Sequence, residues 1–293
     1  KEYKINAKVV VLAASACESA RILLNSKSPY HENGLGNSSN MVGKYLHDST
    51  GTNNMAFIPD LMNRKTYNED GMGNMHLYSP WWLDNKNLDF PRGYHIEIWG
   101  GLGTPSYGTG FNFNSLNSFF GLEVGGYGDR VRNEVKKYYG STMGFSTRGE
   151  SIPNIDNYCE IDPEKKDKYG IPVLRFNYNW SDYERKQAKH MNETIKEVVH
   201  NIGGHMLWEN GGRDNGLLTP GEVIHEVGTT RMGNNPKTSV VNKYEQLHDA
   251  KNVFIVDGGP FVSQADKNPT WTIMALSWRT SEYIISELKK QNI

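Results

Sequence analysis

A short apolar strand that ends in an acidic residue and glycines is the feature that most constrains how this chain can fold. Asn252-Val253-Phe254-Ile255-Val256 has the pattern of a buried strand, and Asp257-Gly258-Gly259-Pro260 follows it. Further along, Asn268-Pro269-Thr270 predicts the start of a helix, because Asn is favoured at the N-cap and Pro at the first helical position. In open α/β sheets, ligands bind at the carboxyl ends of strands. We therefore expect an α/β unit in which Asp257 lies at a strand end, where it either contacts a ligand or caps its own turn.

The first residues repeat this strand-to-helix arrangement. Val9 to Leu12 form a continuous apolar run, which predicts a strand covered on both faces, and Glu18 to Asn25 have helical composition. Between them, Ala14 and Ser15 lie either against a ligand or in an ordinary turn between strand and helix. Because the strand comes so early, with no initiator Met before it, we expect the chain to begin within a domain.

The central region has a different composition. From Gly34 to Gly128 the chain is rich in Gly, Asn, Tyr and Trp, and Tyr94 to Trp99 alternates in the manner of a half-buried strand. Asn74 to Tyr78 indicates another strand, so we predict a twisted, mostly antiparallel sheet. Gly100 to Ser106 lacks the third glycine and the following helix of a dinucleotide-binding loop, and it predicts a plain loop.

Two further elements follow the central region. Phe176 to Asn179 predicts the end of a strand, and Asp182 to Ile202 predicts an amphipathic helix. The apolar stripe of this helix consists of Met191, Ile195, Val198, Val199 and Ile202.

Composition and missing motifs exclude several classes of protein. The 32 Lys and Arg residues against 33 Asp and Glu give a net charge of −1, which argues against nucleic acid as a main partner. No apolar run approaches the roughly 18 residues of a membrane span. Cys17 and Cys159 lie far apart with no other ligands clustered around them, so we expect neither a disulfide framework nor a metal site. Serine-hydrolase, zinc-protease and P-loop motifs are absent as well.

Three positions are chemically notable on their residues alone. His225 lies among small and polar residues, where it is either a general base that titrates near neutral pH or a structural histidine. Asp257 either accepts hydrogen bonds from a cofactor's hydroxyl groups or caps its own turn. The helix start at Asn268 either binds an anion or is simply capped. The residues themselves leave these alternatives open.

Several short blocks occur in a fixed order towards the C-terminal end. They are His225-Glu226-Val227-Gly228-Thr229-Thr230-Arg231-Met232-Gly233, Ser239-Val240-Val241-Asn242, Asn252 to Gly258, and Asn268-Pro269-Thr270. Together they resemble the C-terminal signature of the glucose-methanol-choline (GMC) family of flavin oxidoreductases. Residues 8–26 and 40–48 are similar to segments of that family's FAD domain, and residues 150–153 and 167–172 to segments of its substrate domain. Within the family, the blocks look closest to bacterial sugar or polyol dehydrogenases and pyranose oxidases.

The resemblance implies a catalytic pair and an FAD cofactor. The histidine of the family's His-x-x-Gly-Thr block, here His225, takes the hydroxyl proton of an alcohol while the carbinol hydride passes to flavin N5. A second residue, here Asn268, hydrogen-bonds the substrate oxygen, and an amide does this without competing for the proton. By the same resemblance the cofactor-binding residues are Asp257 and Gly258 at the pyrophosphate or ribityl region, Pro269 and Thr270 at the isoalloxazine, and Ala14 and Ser15 at the ADP portion.

The resemblance also implies a mixture of α/β and α+β structure. We expect residues 1–49 and 216–293 to be parts of an incomplete, Rossmann-like FAD-binding domain, and residues 50–215 to be a substrate-binding domain built on a mostly antiparallel sheet. The family's Gly-x-Gly-x-x-Gly does not occur in these 293 residues. We therefore expect the missing N-terminal FAD-binding half to be a partner of this chain, whether the chain is a fragment or one half of a split enzyme.

The expected substrate is a small-molecule alcohol or carbohydrate, and the expected reaction is its FAD-dependent oxidation. Aromatic and amide side chains between Trp81 and Phe120 would suit sugar faces and hydroxyl groups, although they would equally suit a sheet core. Two alternatives stay open. One is a catalytically inert carbohydrate-binding or scaffold protein that kept the fold, and the other is lyase or isomerase chemistry on a retained flavin.

Overall fold

The computed structural model describes residues 3–63, 77–80, 87–100, 116–117, 120–121, 126–209 and 213–293. These residues form two compact units. The first contains the chain up to Ser49, Ser151–Asn179 and Pro220–Ile293, and the second contains Thr50–Glu150 and Trp180–Thr219. The units differ from the predicted segments chiefly because residues 151–179 pack within the first unit. Their roles in binding FAD and substrate stay a prediction.

The first unit is built around a pair of parallel strands from distant parts of the chain. Its elements are β1 (Val10–Leu12), α1 (Ala16–Asn25), the hairpin of β6 (Tyr158–Lys166) and β7 (Pro172–Asn177), β9 (Val253–Ile255) and α4 (Thr270–Lys289). β1 and β9 run parallel, with Val11 opposite Phe254. Leu23 of α1 and Ile255 of β9 belong to one buried apolar cluster, which includes Leu46 and Val241.

The prediction that β1 is covered on both faces is wrong for the described residues. Val10 is 40% and Val11 is 50% exposed. The reason is that β1 and β9 form a sheet of only two strands in the part of the chain that the structure describes. A sheet this narrow leaves apolar side chains of β1 facing solvent.

The second unit contains a five-stranded antiparallel sheet, which confirms the predicted fold class. Its strands are β2 (Asn53–Phe57), β3 (Leu77–Pro80), β4 (Tyr94–Gly100), β5 (Thr142–Gly149) and β8 (His205–Glu209), in the spatial order β3-β4-β5-β2-β8. Every neighbouring pair in this order is antiparallel. Helical elements with described bounds in this unit include a 3₁₀ turn (Pro59–Leu61), α2 (Gly128–Tyr138), α3 (Asp182–Asn201) and a short turn (Arg213–Gly216).

The amphipathic helix α3 agrees closely with its predicted range. It begins after Ser181, whose side chain and Glu184 form a capping box that satisfies backbone N–H groups of the first turn. Met191 and Ile195 of the predicted stripe are fully buried in the core of this unit. Ile202 is an exception, because the helix ends at Asn201 and leaves this side chain 43% exposed.

Some sequence predictions fall partly outside the described residues. Of the strand expected at Asn74 to Tyr78, the structure describes only Leu77 and Tyr78, which lie in β3. The predicted loop after Gly100 also lies outside them. Among the helices that can be described, none combines the length and the apolar character that crossing a membrane requires.

Candidate active site

The buried carboxylate of Asp48 holds the loop that carries His225. Its Oδ1 accepts the backbone N–H of Ser49 at 2.8 Å and that of His225 at 2.9 Å, and its Oδ2 accepts the N–H of Gly221 at 3.1 Å. Burial raises the pKa of Asp48 to about 6, although these hydrogen bonds act in the opposite direction. Asp48 ends the 40–48 block quoted above, but nothing in its spacing predicts that it anchors a loop so distant in sequence.

The imidazole of His225 lies between a hydroxyl group and an amide. Its Nδ1 is 3.2 Å from Oγ of Ser49, and its Nε2 is 3.2 Å from Nδ2 of Asn268. On the far side of Ser49, Nε2 of Gln264 donates to the same Oγ at 2.8 Å. The structure thus brings the two predicted catalytic residues into contact, and it adds two residues that sequence reasoning missed.

The residues after His225 are fixed to the loop that follows β9. The N–H of Gly228 donates to the carbonyl of Gly258 at 3.1 Å, and Val227 and His47 exchange backbone hydrogen bonds of 2.8 and 3.0 Å. Gly228 has a φ of +96°, and a Cβ atom there would lie 2.4 Å from the carbonyl oxygen of Tyr45. Only glycine fits this position, which explains the glycine of the His-x-x-Gly-Thr block.

The predicted cofactor residues at the two strand ends lie along one edge of the small sheet. Ala14 and Ser15 follow β1, whereas Asp257 and Gly258 follow β9. Because these strands are parallel, their carboxyl ends meet at the same edge. Ser15 has a φ of +80° and is the N-cap residue of α1, so its hydroxyl faces the N–H of Glu18 at 3.5 Å.

Asp257 makes hydrogen bonds of its own at this edge. Its Oδ2 accepts the hydroxyl of Ser19 at 2.5 Å, and its Oδ1 accepts the N–H of Gly259 at 2.8 Å. Burial raises the pKa of Asp257, although these hydrogen bonds lower it. The contact with Gly259 matches the turn-capping alternative stated above.

The start of α4 differs from the prediction by one residue. The helix begins at Thr270, and the N-cap residue is Pro269, whose φ of −78° and ψ of −12° are already helical. Asn268 is therefore not the N-cap residue, and its amide contacts His225 instead. No side chain caps this end, and the first turn carries no acidic residue, so its N–H groups suit an electron-rich ligand.

Two other features bear on the candidate site. A cavity of about 290 Å³ within the first unit is lined by Cys17, Asp48, Tyr178 and Glu226 together with apolar side chains. Burial raises the pKa of the Cys17 thiol well above its usual range, so this cysteine is not a nucleophilic thiolate. Among the residues that the structure describes, no group of His, Cys, Asp and Glu is arranged to hold a metal ion.

Most of the aromatic side chains predicted between Trp81 and Phe120 to contact a sugar lie outside the described residues. Two that are described, Phe90 and Tyr94, are 4% and 0% exposed and belong to the apolar core of the second unit. These two match the alternative of a sheet core.

Comparisons with known proteins show that this chain is similar to several oxidoreductases. It is 31% identical over 283 residues to 2-methyl-1,2-propanediol dehydrogenase of Mycolicibacterium austroafricanum, covering 96% of this chain and 48% of that protein. It is 26% identical over 294 residues to the fructose dehydrogenase large subunit of Gluconobacter japonicus, covering 99% and 49%. The crystal structure of pyridoxine 4-oxidase from Mesorbium loti shares the fold, with a TM-score of 0.59, 13% identity and coverage of 94% and 51%.

Part of this chain also matches a protein-family model. The family model described as GMC oxidoreductase matches residues 153–277. This match confirms the resemblance to the GMC family, whose enzymes depend on FAD. The chain spans about half the length of the curated relatives it matches.

Proposed function

We propose that this chain is the C-terminal part of an FAD-dependent enzyme that oxidises an alcohol group of a sugar, polyol or glycoside. The observation that carries the proposal is the 3.2 Å contact between Nε2 of His225 and Nδ2 of Asn268. In this proposal His225 is the base and Asn268 positions the substrate oxygen. Two relatives are named as dehydrogenases of a propanediol and of fructose. These names support the proposal that the substrate carries several hydroxyl groups.

The hydrogen bonds around His225 suit a general base. The amide of Asn268 donates to Nε2, which therefore carries a lone pair, and the ring proton lies on Nδ1 and faces Ser49. A substrate hydroxyl that takes the place of this contact accepts a hydrogen bond from Asn268 and gives its proton to Nε2 of His225. A base positioned in this way typically contributes a factor of about 100 or more to the rate.

The residues present fit one part of an FAD site. When bound, FAD supplies the two-electron oxidant for the reaction. The first turn of α4, with Pro269 and Thr270, has neither a side-chain cap nor an acidic residue, and it suits the electron-rich pyrimidine edge of a flavin. The hydroxyl oxygen of Thr230, which lies beside Gly259, is buried without a hydrogen-bond partner among the described residues, so it is a further polar group that a cofactor would satisfy.

The rest of the FAD site belongs, in this proposal, to an N-terminal half that lies outside these 293 residues. Support comes from apolar surface in the first unit. Trp271, Met274 and Trp278 lie along one side of α4 and are 87%, 65% and 72% exposed, and Val10 and Val11 of β1 are exposed too. Contiguous apolar surface of this kind marks a contact with other protein. The first unit then completes the FAD-binding domain, and the second unit forms the substrate-binding domain.

The test uses the complete protein that contains this chain. Its flavin absorbance is followed without oxygen while 2-methyl-1,2-propanediol, fructose, gluconate and other sugars and polyols are added in turn. The proposal predicts bleaching by at least one alcohol. A stable flavin spectrum with every compound would contradict the proposal and favour the inert carbohydrate-binding alternative, whereas product formed without net electron transfer would favour lyase or isomerase chemistry.

A further inference from the structure

Gln264 is a buried amide that no sequence motif explains. It is 4% exposed, and its Nε2 donates to Oγ of Ser49, which is itself 1% exposed. Its other amide atom, Oε1, is buried without a hydrogen-bond partner within the described ranges. A buried amide with one unsatisfied atom lowers stability, so packing alone does not account for it. The partner of its Nε2, Ser49, also contacts the ring of His225.

Ser49 connects this amide to the ring of His225. The Oγ of Ser49 lies 2.8 Å from Nε2 of Gln264 and 3.2 Å from Nδ1 of His225. Because a hydroxyl oxygen has two lone pairs, it has room to accept both N–H groups at once when the ring proton is on Nδ1. Gln264 therefore fixes the position of the oxygen against which the imidazole rests.

We propose that Gln264 is a positioning residue that acts through Ser49 to hold His225 in its catalytic orientation. This inference rests on the proposed function of His225 as the base. The Ser49 oxygen accepts the Nδ1–H of the ring, which directs the Nε2 lone pair to the substrate side. The same hydrogen bond stabilises the imidazolium that forms when the base takes up a proton.

The charged groups around the ring stay the same in the variants that test this inference. Asp48 accepts the backbone N–H of His225, and Glu226 is the next residue. Asp266 and Lys267 form an ion pair of 2.6 Å on the loop that carries Gln264. Since substitutions at Ser49 and Gln264 remove no charge, a shift in the pH profile reports on the hydrogen bonds of the ring itself.

The first experiment measures the second-order rate of flavin reduction in the complete enzyme between about pH 5 and pH 9. This range includes the pH at which an ordinary histidine side chain titrates. The substrate is the alcohol that bleaches the flavin best. Gln264→Met keeps the side-chain length and removes the amide. We expect the rate to fall about tenfold to a hundredfold, as small misplacements of a catalytic group produce. We also expect the acidic limb of the profile to move to lower pH, because Ser49, the acceptor of the imidazolium Nδ1–H, is no longer held in position by Gln264.

A double-mutant cycle tests whether the effect passes through Ser49. Ser49→Ala should lower the rate and move the acidic limb in the same direction. Adding Gln264→Met to Ser49→Ala should then change the rate less than twofold, since residues that act as one unit are not additive. If Gln264→Met is as damaging without the serine hydroxyl as with it, the inference is wrong. A shift of the acidic limb to higher pH in Ser49→Ala would also overturn the inference. Such a shift would mean that the Ser49 hydroxyl donates to Nδ1 of His225 and does not accept from it.

Control variants separate positioning from folding. Gln246 is another buried glutamine of the same unit, and its Nε2 donates to the carbonyl of Lys251 at 2.6 Å. Gln246→Met should leave both the rate per bound flavin and the acidic limb unchanged. If Gln264→Met does not fold, Gln264→Asn withdraws the amide from Ser49 and should shift the limb in the same direction.

The proposed function and this inference fail in different ways. His225→Ala abolishes most flavin reduction if the histidine is the base, whatever Gln264 does. Loss of reduction in His225→Ala together with a wild-type profile in Gln264→Met contradicts only the positioning role. Wild-type reduction in His225→Ala contradicts the proposed function itself.

Discussion

At the scale of single residues, the sequence predicts which side chains form the candidate site, but it does not predict which of them contact one another. His225 and Asn268 stand out because one lies in a polar segment and the other at a helix start. Their contact joins positions 43 residues apart, and the contact of Gln264 with Ser49 joins positions 215 apart. No local periodicity encodes such contacts, because they join segments that are distant in sequence.

Glu245 gives the first prediction at this scale. It is 0% exposed, its Oε2 accepts the hydroxyl of Thr280 at 2.7 Å, and its Oε1 has no hydrogen-bond partner in the part of the chain that the structure describes. Burial raises its pKa from 4.5 to about 7. Since the folded pKa lies above the unfolded one, the stability this group contributes is present below about pH 4.5 and is lost as pH rises through about pH 7.

Glu245→Gln removes this pH dependence and keeps a group that can bond to Thr280. At each pH we compare the free energy of unfolding of Glu245→Gln with that of the wild type. We expect the variant to gain roughly 2 kcal/mol relative to the wild type between about pH 5 and about pH 8. Urea unfolding of the complete protein at both pH values measures the difference. An advantage that is equal at the two pH values would mean that Glu245 titrates normally in the folded state.

At the scale of secondary-structure elements, local patterns predicted most of what formed. The capped start and apolar stripe of α3 gave its range closely, and β9 and the start of α4 lie within one residue of their predicted positions. The exposure of β1 was not predictable, because a run of valines indicates a buried strand and carries no information on how many neighbouring strands are present. The packing of residues 151–179 in the first unit was not predictable from local patterns either, since it depends on contacts with residues distant in sequence.

The pairing of β4 with β5 gives a prediction at this scale. Trp99 lies opposite Gly144, and a Cβ atom on Gly144 would lie 2.1 Å from atoms of the indole ring. Gly144→Ala should therefore displace the indole and lower the free energy of unfolding by about 2 kcal/mol, as overpacking does. Gly100→Ala is the matched control, because a Cβ atom there meets no atom of the described residues within 4 Å. Thermal unfolding compares the two variants, and equal melting temperatures would show that the indole adapts without cost.

At the scale of the whole molecule, the 293 residues contain the candidate catalytic pair but only part of the proposed cofactor site. The ordered blocks of the sequence predict the resemblance to the GMC family, and the relatives are about twice as long as this chain. We therefore expect the complete protein to retain FAD through gel filtration and the 293-residue chain alone to lose it. Flavin absorbance per protein measures this. Stoichiometric FAD on the isolated chain would show that no second half is needed.

The central claim is that His225 takes the proton of an alcohol during oxidation, and anaerobic flavin reduction in the complete enzyme tests it most directly. His225→Ala should bind FAD as the wild type does and be reduced by substrate at least about 100-fold more slowly, the usual contribution of a positioned base. Reduction of the variant at close to the wild-type rate would contradict the assignment of His225 as the base.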